Sequence, residues 1–129
     1  MKLIVKGNPA TKKNSGQIIM IKGHPRLIPS KAYREYENVF LPQIPDRCKQ
    51  RINLPHTLKC EYYMQSKRRV DLGNLLNATC DLLVKAGVLQ DDNSFIIYSH
   101  DVSRVYYDKD NPRVEIELIP AARSLNEPV

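Results

Sequence analysis

Apolar and polar residues alternate without a break over Thr57–Gln65, with Leu58, Cys60, Tyr62 and Met64 on one side and Lys59, Glu61, Tyr63 and Gln65 on the other. That period of two predicts a half-buried strand. From Asp71 the period changes. Leu72, Leu75, Leu76, Thr79, Leu82, Leu83 and Ala86 fall on one side of a helix, and Asn74, Asn77, Asp81 and Lys85 on the other, with Gly87 as the residue that ends it. A second helix is predicted from Ser30, a favourable N-cap, through Tyr33, Tyr36, Val39 and Phe40, until Pro42 stops it. The remaining elements are shorter. Lys2–Lys6 reads as a first strand, broken by Gly7-Asn8-Pro9; Gln17–Lys22 and Arg26–Ile28 read as a hairpin about Gly23-His24-Pro25. Residues 42–55 read as an irregular connection or a continued short helix. Phe95–Tyr107 looks like one long strand bent near His100-Asp101, followed by a hairpin turn at Asp108–Pro112. Arg113–Ile119 is a last strand with Val114, Ile116 and Leu118 inward, and the pattern fades from Pro120, where fraying is expected.

The expected class is therefore α+β: one domain over residues 1–119 with a mixed sheet of about five or six strands and two main helices, then a tail at 120–129. Composition adds exclusions. A chain of 129 residues with 42% hydrophobic and 26% charged residues is an ordinary globular one, not a disordered, collagenous or coiled-coil sequence. No apolar run approaches the roughly 20 residues that span a bilayer. The first residues lack an apolar signal-peptide core, so a cytoplasmic location is expected. Cys48, Cys60 and Cys80 are odd in number, and no CxxC pair offers a zinc site, which predicts reduced, mostly buried thiols. His24, His56 and His100 have no metal-spaced partners and are read as structural or surface residues.

Charge is spread unevenly along the chain. Residues 1–70 hold 15 Lys and Arg against four acids, whereas residues 71–129 hold five against ten, seven of them Asp. A basic surface that gathers a polyanion, opposed to short carboxylates that hold a divalent cation, is the layout of a metal-dependent nuclease. Three features converge on it: the basic run Lys67-Arg68-Arg69 after a strand, Asp71 at a helix start, and Asp91-Asp92 beyond that helix. The loop Thr11–Gly16, with Lys12, Lys13 and Asn14, is of a kind that touches phosphates. Plainer roles stay open. Asp71 suits an N-cap, Asp91-Asp92-Asn93 suits a turn, and Asp81 could pair with Lys85 at i+4 or join the carboxylates. A helix of about 15 residues is roughly 22 Å long, so Asp71 and Asp92 meet only if the chain returns alongside it.

The stretch Arg68–Leu75, followed by Cys80–Leu89 and Asp91-Asp92, resembles the signature region of the RusA-type Holliday junction resolvases, with Asn74 in its Asp-x-x-Asn-Leu motif. The Pro9–Asn14 loop, the Ser30–Phe40 helix and the chain after Asp92 fit the same family, so the resemblance spans roughly residues 1–119. It implies a homodimeric endodeoxyribonuclease that binds four-way DNA junctions by shape and cuts two strands symmetrically with Mg²⁺, with no organic cofactor. It also implies that Asp71, Asp91 and Asp92 hold the metal and that Lys12, Lys13, Asn14, Lys67, Arg68 and Arg69 contact DNA, with Asn74 and Asp81 as possible additions. Two positions depart from the pattern: Gly73 stands where the family often has a second aspartate, and Asn77 where it often has a lysine. A catalytically inactive junction-binding protein is therefore the alternative.

Overall fold

The computed structural model describes residues 1–12, 17–28, 30–100 and 102–121, and they form two α-helices and seven strands. In chain order these are β1 (Lys2–Lys6), β2 (Gln17–Ile21), β3 (His24–Ile28), α1 (Lys31–Phe40), β4 (His56–Met64), α2 (Leu72–Lys85), β5 (Ile97–Ser99), β6 (Arg104–Tyr107) and β7 (Arg113–Pro120). Two short 3₁₀ turns, Leu41–Gln43 and Asp46–Cys48, lie in the segment that follows α1, the first with Pro42 where the α-helical ladder can no longer continue. The α+β class with a mixed sheet is as the pattern predicts. Among the described residues no helix is long and apolar enough to cross a membrane.

β4 is the centre of the sheet. It pairs antiparallel with β7, which pairs antiparallel with β1, and its other edge takes β5 and β6, both parallel. Parallel neighbours need a long crossover, and α2 supplies it between β4 and β5. The register lines up inward residues in rows: Leu3, Ile116 and Cys60 in one, Val5, Val114 and Tyr62 in the next. These rows join Tyr33, Tyr36 and Phe40 of α1 and Leu75, Ala78, Leu82 and Leu83 of α2 in one core. The Tyr62 hydroxyl meets Thr79 Oγ1 at 2.7 Å, and Thr79 in turn donates to the Leu75 carbonyl, so the sheet is keyed to α2 by a satisfied polar pair. Cys48, Cys60 and Cys80 are free thiols and all buried, and burial pushes Cys60 and Cys80 up to about 12.

Three local expectations need correction. The strand predicted over Phe95–Tyr107 is two strands. Between the pairs Thr57 with Ser99 and Glu61 with Arg104, β4 advances four residues and its neighbour five, so one residue must leave the ladder. Val102 takes φ +58°, and the Ser103 hydroxyl accepts the Cys60 N–H at 2.9 Å where a backbone carbonyl would otherwise do so. Asp108–Pro112 is not a hairpin turn, because β6 and β7 lie on opposite sides of β4. The segment bridges the end of β4 instead: the Asp108 N–H donates to the Met64 carbonyl and the Asp108 carboxylate receives Arg113 at 3.0 Å. The first hairpin turns at Lys22-Gly23, both at positive φ, so His24 and Pro25 belong to β3. At the other end β7 runs to Pro120; the rest of the expected tail, from residue 122, lies outside the described residues.

Candidate active site

α2 begins where the sequence places it. Asp71 has an extended backbone, and its Oδ1 accepts the Asn74 N–H at 3.1 Å while its carbonyl accepts the Leu75 N–H, so it is the N-cap. The helix ends at Gly87, φ +82°, with the Val88 N–H returning to the Leu83 carbonyl and the Gly87 N–H to the Val84 carbonyl. Backbone bonds from Arg51 and Ile52 to Gly87 and Val88, and from Gln90 to Ile52, then fix the departing chain. This return matters for the site. It carries Asp92 to a cleft of about 250 Å³ whose wall is Gly73, Leu76, Asn77 and Cys80, one stripe of α2 at helical spacing, with His100 beside it.

The acids play different parts. Asp91 Oδ1 accepts the Asp92 N–H at 2.8 Å and Oδ2 accepts the Asn93 amide at 3.0 Å; these bonds hold the exposed Asp91 carboxyl below the usual range, and they make it the organiser of the turn. Asp92 shifts the other way. Partial burial, then the charge of Asp81, then Asp91 push its carboxyl up. Asp81 does not pair with Lys85. Lys85 reaches across to Glu37 of α1 at 2.8 Å, and Asp81 is held at 2.8 Å by Lys12, whose ammonium also lies 5.6 Å from the Tyr33 ring centroid. Among the described residues no three His, Cys, Asp or Glu side chains form a ready-made metal cluster. Gly73 and Asn77, the two departures from the family pattern, line the same cleft as Asp92, and a Cβ at Gly73 would stand 3.1 Å from Asp71 Oδ1.

Three basic residues, Lys31, Arg68 and Arg69, share a second cleft of about 400 Å³, lined by Arg68, Arg69 and Ser66 from the β4–α2 connection, by Asn8–Thr11, and by Ser30–Ala32 at the start of α1. The Asn8 side chain accepts the Gln65 N–H at 2.9 Å, which ties the N-terminal loop to the end of β4. Among the described residues no acid lines this cleft. Lys67 turns elsewhere, 5.2 Å from the Tyr107 ring centroid. Lys13 and Asn14 lie outside the described residues. Arg68→Ala with Arg69→Ala is expected to weaken DNA binding and to flatten the dependence of log K on log salt by about 0.9 for each phosphate that these arginines neutralise. Titrating affinity against salt checks this; an unchanged slope would remove the cleft from the DNA path.

Lys31 and His100 escape a sequence reading. Lys31 reaches the basic cleft through the packing of α1 beside the β4–α2 connection, and His100, a surface residue as expected, joins Asp92 only because the edge strand breaks after Ser99. Neither lies at a telling spacing.

The model of the family described as endodeoxyribonuclease RusA matches residues 2–119. No curated protein matches the chain.

Proposed function

Because the chain belongs to the RusA family of endodeoxyribonucleases, which resolve Holliday junctions, we propose that it cuts four-way DNA junctions with Mg²⁺, as a homodimer making paired, symmetric nicks. The observation that carries this reading is Asp92, set against the Gly73–Asn77 stripe and pushed up by partial burial first and by the charge of Asp81 second. A carboxylate crowded by another carboxylate gains most when a cation arrives between the charges. Enzymes of this family depend on divalent metals. Mg²⁺ commonly takes one or two protein carboxylates and fills its remaining positions with water and phosphate, so Asp92 with one further carboxylate would suffice without a three-carboxylate cluster.

In this reading Asp71 and Asp92 hold the metal, and Asp91 supports Asp92 through its backbone N–H. The metal supplies a water of lowered pKa and a counter-charge for the leaving oxygen. The protein side chains position the DNA. Arg68 and Arg69 in the basic cleft, with Lys12, Lys13, Asn14 and Lys67, hold backbone phosphates, which fixes orientation without reading bases. Asn74 contributes its N–H to the Asp71 cap. A two-fold pair of chains would match the near two-fold symmetry of an open junction and bring one site to each of two opposed strands. The cytoplasm is the proposed place of action.

A second reading has its own support: Gly73 and Asn77 leave the cleft without the carboxylate and lysine common at these positions, which suits a protein that holds junctions without cutting them. One assay separates the two. Incubated with a labelled four-way junction and a matched linear duplex, the enzyme reading expects opposed nicks in the junction that require Mg²⁺ and cease with chelator. Tight junction binding without nicks under any divalent metal would establish the second reading.

A further inference from the structure

We propose that the β2–β3 hairpin is a wedge that seats its apolar face against the exposed base pairs at the centre of the junction, an inference that rests on the junction-cutting function above. Among the described residues the hairpin pairs only with itself, and neither strand joins the main sheet. Its register sets Ile18 opposite Leu27 and Met20 opposite Pro25, so alternation places these four residues on one face. Ile18 is 74% exposed, Met20 66% and Leu27 76%. A lone two-stranded hairpin is marginal in water, and an apolar face on it gains nothing from remaining wet.

Charge identifies what covers that face. The first 34 residues contain eight Lys and Arg and no Asp or Glu, and Lys22 and Arg26 belong to the hairpin itself. The Arg26 guanidinium donates to the neighbouring Pro25 carbonyl, and the hairpin offers it no carboxylate. Two such hairpins packed about a two-fold axis would bring like charges together with no carboxylate to offset them. Nucleic acid satisfies both parts of the surface: phosphates for Lys22 and Arg26, and base faces for Ile18, Met20, Pro25 and Leu27. Isoleucine, leucine, methionine and proline are side chains that proteins insert between base steps. A four-way junction presents the ends of its stacked arms at the branch point, where a continuous duplex has none. The wedge thus distinguishes a junction from ordinary DNA by shape.

The test uses a junction with 2-aminopurine at the branch point, whose fluorescence rises on unstacking, and a variant with Ile18→Thr, Met20→Thr and Leu27→Thr, which keeps side chains that suit a strand. The parent should raise the fluorescence; the variant should not, and its preference for junction over duplex should fall about tenfold while its duplex affinity and its sedimentation are unchanged. An equal rise with the variant overturns the wedge. Dissociation of the variant into single chains also overturns it, by assigning the face to a second copy. A parent that leaves the junction uncut with Mg²⁺ is a different failure: it removes the junction-cutting function itself, on which the wedge rests.

Discussion

Asp71→Asn is expected to fold normally, to bind a four-way junction as the parent does, and to lose strand cleavage by about 10²- to 10³-fold. The expectation uses the double position of this side chain. Asp71 caps α2 through Oδ1 to the Asn74 N–H, and asparagine caps a helix about as well as aspartate. Removing the charge therefore leaves the helix start in place and tests only the proposed contact with the metal. Asp71→Ala would mix the two, since an alanine cap costs about 1 kcal/mol. The measurement is single-turnover cleavage of a labelled junction beside a binding titration and a thermal melt. Cleavage at the parental rate would leave Asp71 with its cap alone and move the chemistry to Asp92 and its neighbours.

The largest effect on stability should come from Phe40→Ala. Phe40 is fully buried at the end of α1, edge-on to Tyr36 with ring centroids 5.7 Å apart. Emptying such a site costs about 3 to 5 kcal/mol, a large part of the roughly 5 to 15 kcal/mol that holds a domain together. Urea unfolding should show the midpoint falling at an unchanged slope. A loss below about 1 kcal/mol would mean that α1 is not part of the cooperative core. That result would also loosen the basic cleft, because Ser30–Ala32 form one of its walls.

What the sequence discloses follows from how local each cause is. β4 and α2 are plain because their periods, their cap at Asp71 and their stop at Gly87 lie within the elements themselves. The split between β5 and β6 is hidden, since the residue that leaves the ladder is defined by a partner strand some 40 positions away. Asp108–Pro112 has hairpin composition, yet whether flanking strands touch depends on β4 lying between them. The ion pairs repeat the lesson. Lys85 stands four residues after Asp81, the ideal local spacing, but α1 brings Glu37 to Lys85 and the N-terminal loop brings Lys12 to Asp81. Asp71, Asp91 and Asp92 are recognisable as candidates by their pattern. That Asp92 shares a cleft with Gly73, Asn77 and His100 is a product of the fold.

The sheet order also has a consequence for how the molecule comes to exist. Among the described residues β7 is the one strand that pairs with β1, with Leu3 beside Ile116 and the Met1 amino group donating to the Leu118 carbonyl. During synthesis, residues 2–6 therefore emerge well before residues 113–120, which arrive after both helices and the other strands. Such long-range closure slows folding and keeps an unpaired edge open in the growing chain. Until β7 slides between β1 and β4, the rows of Leu3, Val5, Cys60 and Tyr62 stay incomplete. A half-made chain accordingly lacks the completed sheet on which α2 rests.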